Sequence, residues 1–94
     1  MEVSVLIPAL LAEHTGGQRN LQVITEGAAS VGAVLEALAQ DHPVFDRRVR
    51  DETGSVRRYV NVYIDGDDIR TLDGLRTPLH EGQELLIIQS VAGG

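Results

Sequence analysis

The last four residues of the chain, Val91-Ala92-Gly93-Gly94, form the segment best suited to chemistry. Glycine makes up about 7% of ordinary protein, so two at a given chain end arise by chance in about one chain in 200. Glycine has no Cβ, so its backbone can enter a narrow channel and adopt conformations closed to other residues. We therefore expect Gly94 to carry an acyl group on which another protein acts. Val91, Ala92 and Gly93 would form the arm that the partner binds.

A carboxylate at Gly94 is resonance-stabilised and needs activation, typically as an acyl adenylate made by a separate enzyme that uses ATP. The chain shows no phosphate-binding loop of its own, because Gly16-Gly17-Gln18 lacks the required spacing, lysine and Ser/Thr. We expect this chain to bind no cofactor and ATP to be bound by an activating partner. The alternative is an ordinary frayed end, since chain termini are often small and poorly ordered.

The composition narrows the possible functions. The 94 residues include no cysteine, which excludes a disulfide framework, thiolate metal sites and thiol nucleophiles. All eight basic residues are arginines. A chain without lysine or cysteine has no side chain that could capture its own activated acyl group, although a compositional preference for arginine is the alternative reading. No apolar run approaches the roughly 20 residues of a membrane span, so a cytoplasmic location without membrane contact is expected.

A net charge of −6 makes nucleic acid an unexpected partner. The nearest approach to a basic cluster consists of Arg47, Arg48, Arg50, Arg57 and Arg58. Because Asp51 and Glu52 follow Arg50 directly, a solvated face of mixed charge is the preferred interpretation.

Metal binding and histidine catalysis are not expected. The acidic residues Asp65, Asp67 and Asp68 lack the further oxygen ligands and distal glutamate of a calcium loop, and turn chemistry or a charged docking surface fits them better. The histidines lie on separate predicted turns and have no cysteine or helix-spaced partner for zinc; they are His14, His42 and His80.

Four main strands are predicted, over residues 3–7, 21–25, 59–64 and 84–88. A short strand is also predicted around Asp68-Ile69-Arg70, after a tight turn at Asp65-Gly66. The first two follow one another across a longish loop, which predicts a hairpin. The fourth strand is apolar on both faces and is therefore predicted to be central and buried.

One main helix is predicted from Val31 to about Gln40, with Ser30 as its N-cap. Its apolar stripe consists of Val31, Val34, Leu35 and Leu38. Proline at position 43 ends it, and residues 44–50 could form a short helical turn. Segregated strands with one helix predict the α+β class. The order of elements matches the β-grasp, or ubiquitin-like, fold, with a mixed sheet of four to five strands on the helix. Residues 1–94 are expected to form one domain with a flexible C-terminal tail at residues 89–94.

The chain resembles the ThiS/MoaD family of ubiquitin-like sulfur carriers over essentially its whole length. The resemblance rests on Val3-Ser4-Val5-Leu6-Ile7-Pro8, His14-Thr15-Gly16-Gly17-Gln18, Val60-Asn61-Val62-Tyr63, Asp67-Asp68-Ile69-Arg70 and the closing diglycine. It is strongest to the CysO-type carriers of cysteine biosynthesis. It departs from many relatives at residues 86–90, where they carry a proline near Gln89 or Ser90.

The resemblance implies a carrier and not an enzyme. An E1-like enzyme would adenylate Gly94, sulfur would replace AMP to give a thiocarboxylate, and a pyridoxal-phosphate cysteine synthase acting on O-phosphoserine would use that sulfur. A zinc peptidase would then restore Gly93-Gly94. Three alternatives share the fold and the diglycine end: the small subunit of molybdopterin synthase, paired with its large subunit; a thiamine-thiazole sulfur carrier; and a ubiquitin-like protein modifier.

Overall fold

The computed structural model describes residues 1–90 of the chain. Seven strands are present in this range: β1 (Glu2–Leu6), β2 (Asn20–Ile24), β3 (Ala29–Ser30), β4 (Val60–Ile64), β5 (Asp67–Asp68), β6 (Pro78–Leu79) and β7 (Glu84–Gln89). Its α-helices are α1 (Ala9–Ala12), α2 (Val31–Asp41) and α3 (Pro43–Val49), and two 3₁₀ turns cover Ile69–Thr71 and Gly74–Arg76.

Five strands form one mixed sheet in the order β2-β1-β7-β4-β5, and β3 pairs with β6 in a separate two-stranded sheet. The predicted hairpin is confirmed, because β1 and β2 pair antiparallel. At the centre of the sheet β1 runs parallel to β7, with Val5 opposite Leu85. On its other side β7 runs antiparallel to β4, with Ile87 opposite Val62. The last predicted strand is therefore central, as expected.

The core lies between the inner face of this sheet and α2. Alternate residues of β1, β2, β4 and β7 point inward because side chains alternate between the two faces of a strand. The helix contributes its predicted apolar stripe, Val31, Val34, Leu35 and Leu38, each at most 4% exposed. The Ser30 hydroxyl accepts a hydrogen bond from the Ala33 amide at 3.2 Å and caps the helix as predicted. The β-grasp prediction is confirmed.

Two short helices accompany α2. The region between the first two strands was predicted as loop, but it contains α1, whose Leu11 and Ala12 are buried. Four residues are too few to show a helical period, which is why the sequence does not reveal this helix. The predicted helical turn after α2 is α3, which buries Phe45 and Val49 and leaves Val44 exposed.

The prediction that β7 is buried on both faces is wrong. Leu85 and Ile87 are fully buried, whereas Leu86 is 38% exposed and Ile88 is 40% exposed. The reason is that the helices cover the sheet on one face, so the other face of β7 stays open. No helix among residues 1–90 is long and apolar enough to cross a membrane.

The boundary of the predicted tail also needs correction. Gln89 is the last residue of β7 and lies opposite Val60. The amide of Ser90 donates a 2.8 Å hydrogen bond to the carbonyl of Tyr59. Both residues are thus attached to the sheet, because the ladder with β4 extends further than the apolar run that defined the predicted strand. Residues 91–94 lie outside the described residues.

Candidate functional site

The site predicted from sequence follows directly on β7. This strand passes through the centre of the sheet and is held at its end by the hydrogen bond between Ser90 and Tyr59. The predicted acyl group at Gly94 and the arm formed by Val91, Ala92 and Gly93 lie outside the described residues, so their roles stay predictions. The structure locates the point from which these four residues continue, which we call the tail root: Ser90 and the Tyr59 carbonyl that holds it.

Arg70 fixes the strand next to the tail root. Its guanidinium donates to the carbonyl of Val60 at 2.8 Å and to Oδ1 of Asn61 at 2.7 Å. A longer contact of 3.3 Å reaches the carbonyl of Arg57. These bonds join the 3₁₀ turn after β5 to the beginning of β4. They hold the strand that in turn holds Ser90.

The outer face of the sheet carries apolar side chains that are exposed at Leu86 and Ile88 and half-buried at Leu6 and Tyr63. We call these four residues the outer patch. Leu86 lies opposite Leu6 on one side and opposite Tyr63 on the other. Leu6, Leu86 and Ile88 help to line an open cavity of about 500 Å³. Exposed apolar side chains that lie together are typical of surfaces that bind proteins. Leu86 and Ile88 of the outer patch lie on the strand that leads to the tail root.

Sequence reasoning missed the outer patch because all four residues from Leu85 to Ile88 are apolar. The neighbouring strand carried the missing signal. In β4 the inward residues Val60 and Val62 alternate with Asn61 and Tyr63, which is typical of a strand with one open face.

The arginines grouped by the sequence are separated by the structure. The side chain of Arg50 is only 10% exposed and forms ion pairs with Asp46 at 2.7 Å and Glu36 at 3.0 Å. Burial opposes its charged form, but the hydrogen bonds with Asp46 and Glu36 and their charges outweigh burial and raise the pKa of Arg50. Arg50 therefore links α2 to α3 and is not available as part of a basic surface.

The acidic residues after β4 serve local structure. The side-chain Nε2 of Gln83 donates to Oδ2 of Asp65 at 2.9 Å, and Oδ1 of Asp68 accepts from the backbone amide of Arg70 at 2.8 Å. Asp68 thereby caps the 3₁₀ turn. These contacts agree with the turn chemistry expected from the sequence. Within residues 1–90, no group of three His, Asp or Glu side chains could hold a metal ion.

The histidines are not brought into a catalytic arrangement in the described part of the chain. His14 follows α1, His42 separates α2 from α3, and His80 precedes the turn into β7. None of their side chains forms a hydrogen bond with a serine or an acid among these residues. The described residues therefore provide surfaces to which a partner can bind, together with the tail root, where a hydrogen bond holds the end of β7 in place.

Comparison with known proteins gives the family. Residues 5–94 match the ThiS family. The chain is 34% identical to the sulfur carrier protein CysO of Mycobacterium tuberculosis, over the full length of both proteins. The crystal structure of SAMP1 from Haloferax volcanii matches with a TM-score of 0.85 and 31% identity, covering 100% of both chains. The CysO chain of the BexX/CysO complex from Amycolatopsis orientalis matches with a TM-score of 0.78 and 34% identity, covering 98% of this chain and 99% of that one. Together with the β-grasp sheet and the position of the tail root, these similarities show that the chain belongs to the ThiS family, as its sequence predicts.

Proposed function

We propose that this protein is a sulfur carrier whose Gly94 carboxylate is adenylated by an E1-like enzyme and converted to a thiocarboxylate. The observation that carries the proposal is the tail root: the central strand ends in a fixed position, and four residues ending in diglycine follow it in sequence. Four residues reach at most about 14 Å when fully extended. A partner that acts on Gly94 must therefore contact the end of the sheet.

The proposed chemistry proceeds in two steps on the partner enzyme. A carboxylate oxygen of Gly94 attacks the α-phosphorus of ATP, and pyrophosphate leaves. The sulfur of hydrosulfide then attacks the acyl carbon of the adenylate, and AMP leaves with the bonding electrons. The thiocarboxylic acid that forms loses its proton to solvent, and the resulting thiocarboxylate is a sulfur nucleophile for a client enzyme. In this scheme the carrier is a co-substrate, while ATP and the catalytic groups belong to the partner.

We propose the outer patch as the surface on which the activating enzyme docks. Ile88 lies two residues before Ser90, which is about 7 Å along the strand. A protein that covers Leu86 and Ile88 is thus close enough to take the residues after the tail root. The complex of a similar CysO with BexX supports the general idea that such carriers work while bound to a partner.

For the client we propose a pyridoxal-phosphate cysteine synthase, with a zinc peptidase that restores Gly93-Gly94 after transfer. This finer assignment, like the cytoplasmic location we propose, rests on the full-length similarity to CysO. Co-purification from the native host tests it. A cysteine synthase in the complex supports cysteine biosynthesis, whereas a stable molybdopterin synthase large subunit would contradict it and assign the chain to molybdenum cofactor synthesis.

Intact-mass spectrometry tests the carrier function itself. With the cognate activating enzyme, ATP and a sulfide source, the mass should rise by one exchange of sulfur for oxygen. A chain that lacks Gly94 is the matched control and should not be loaded. If the mass of the intact chain never changes with the cognate enzyme, the carrier proposal is wrong.

A second candidate is a protein modifier, favoured by 33% identity to small archaeal modifier protein 1 of Haloferax volcanii over 89% of the chain. Conjugates of higher mass on a denaturing gel, dependent on Gly94, would support it. Since the chain has no lysine, it would be attached as single units and not as side-chain-linked polymers.

A further inference from the structure

Three arginines surround an open groove of about 500 Å³ beside the sheet. Arg47 and Arg48 come from α3, Arg57 comes from the segment before β4, and Val44 and Tyr59 complete the lining. We call this feature the arginine groove. No acidic side chain is part of its lining.

The cations of the arginine groove are not matched by ion pairs within residues 1–90. The guanidinium groups of Arg47 and Arg48 form no ion pair there, and the Nε of Arg57 donates to the backbone carbonyl of Arg47 at 2.8 Å. Two of the acids close to α3 are used elsewhere, since Asp46 and Glu36 bind Arg50. Glu52 and Glu13 line neighbouring depressions and form no ion pair with the groove arginines within residues 1–90.

Asp51 carries a charge that interacts with Arg57, but its carboxylate already accepts hydrogen bonds from Thr53 and Ser55. In a chain of net charge −6, three arginines gathered on one groove indicate a functional reason for their placement.

The position of the arginine groove supplies that reason. Tyr59 lines the groove with its side chain and accepts the hydrogen bond from Ser90 with its carbonyl. The groove and the tail root are therefore immediate neighbours. A protein that takes the residues after Ser90 has to pass over this end of the molecule and would bring its own surface against the arginines.

We propose that the arginine groove binds an acidic segment, with neighbouring Asp and Glu side chains, on the partner protein that takes the tail. This inference rests on the proposed function, because it assigns part of the same partner contact. Guanidinium groups bind carboxylates through paired N–H donors, and the half-exposed ring of Tyr59 offers a face on which a guanidinium can stack.

A nucleic acid is the less favoured occupant. Its long row of phosphates would meet the negative charge of the rest of the chain, whereas a short acidic segment needs only the groove. At 0.1 M salt, screening limits the attraction between exposed charges to about 10 Å, so the arginines attract mainly charges that lie in or beside the groove. The arginine groove therefore fits a local acidic contact.

A titration of the full-length, isotope-labelled chain with a peptide of ten alternating Glu and Asp residues tests this by NMR. Shift changes are expected at the Nε–H groups of the three groove arginines and at the amides of Val44 and Tyr59. The same peptide with Gln and Asn should cause none, and 0.5 M salt should suppress the effect. Shifts scattered over the surface, or equal shifts with the amide peptide, would overturn the proposal. Tighter binding of a ten-residue oligothymidylate at the groove would instead assign it to nucleic acid.

The double variant R47Q/R48Q removes two charges from the groove. Two exposed charge pairs predict a loss of affinity for the acidic peptide of roughly 2- to 30-fold. R76Q is the matched control, since Arg76 is an exposed arginine on the other 3₁₀ turn and should leave the affinity unchanged. R47K/R48K keeps the charges and should retain most of the binding. Equal losses in R76Q and R47Q/R48Q would contradict a specific groove.

Loading by the cognate activating enzyme separates this inference from the proposed function. R47Q/R48Q should raise KM by a similar factor at low salt and leave kcat unchanged, because the groove is proposed to bind the partner and to take no part in the reaction at Gly94. If the wild-type chain is loaded but R47Q/R48Q has the wild-type KM, the arginine groove proposal fails while the carrier function stands. If no chain is ever loaded, the carrier function fails, and the peptide titration still decides what the groove binds.

Discussion

Ile87 and Ile88 are identical neighbours on β7 that face opposite sides of the sheet, and they allow stability and partner binding to be separated. Ile87 is fully buried in the core, whereas Ile88 is 40% exposed on the outer patch. Replacing Ile87 by alanine leaves a cavity and should cost about 2–5 kcal/mol of unfolding free energy. For a domain of this size, that lowers Tm by at least about 8 °C.

The same substitution at Ile88 should have a smaller effect on stability and a larger effect on function. Isoleucine to alanine removes three carbon groups, worth about 0.8 kcal/mol each when fully buried. With 40% of the side chain exposed, about 1.4 kcal/mol of stability is lost. The exposed remainder, about 1 kcal/mol, is available to a partner and corresponds to a fivefold rise in KM for the activating enzyme.

Thermal unfolding and loading kinetics, both followed on the same preparations, check this pair of variants. Kinetics are measured well below the Tm of the Ile87→Ala variant, so that both proteins are folded. The reasoning is refuted if Ile88→Ala loads with the wild-type KM, or if it destabilises the fold as much as Ile87→Ala does.

Two further predictions concern stability. Arg50→Ala should lower the unfolding free energy measured in urea by about 1.5–3 kcal/mol, because it removes charged hydrogen bonds that link α2 to α3. The control Arg76→Ala should stay within about 0.5 kcal/mol of wild type. Equal losses in the two variants would contradict the stabilising role of these bonds. The Thr53 hydroxyl, with backbone amides, holds the pKa of Asp51 below its ordinary value of 3.8, so this carboxylate stabilises the fold above that pH. The stability difference between wild type and Asp51→Ala should therefore be present at pH 7 and shrink as pH falls below about 4, because the unfolded chain takes up the proton at a higher pH than the folded chain does. A difference that is independent of pH from 7 to 2 would show the assignment to be wrong.

The sequence predicted those parts of the fold whose signals are local. Ser30 and the stripe that begins at Val31 define α2 because capping and helical period act over a few residues. The strand pattern placed β7 last, and its continuous apolar run correctly indicated a central position. Its open face could not be read from the run itself, since only the packing of the helices decides which side of β7 they cover.

The candidate site was predictable to a different degree. Gly94 was identified from residue type and position, and its role stays a prediction. The tail root was not predictable, because Tyr59 and Ser90 meet only through the pairing of two strands that are distant in sequence. The sequence placed Arg50 with its neighbours Arg47 and Arg48, whereas tertiary ion pairs remove Arg50 from that group.

The parallel pairing of β1 and β7 also decides how the molecule can be handled. Ser4 lies opposite Glu84, so Met1 and Ser90 are at opposite ends of the sheet, about 30 Å apart along the strands. The amino group of Met1 donates to the carbonyl of Thr25 at 2.7 Å, away from the tail root. An affinity tag or surface anchor fused ahead of Met1 would therefore present the opposite end of the sheet, with the tail root and the arginine groove, toward solution.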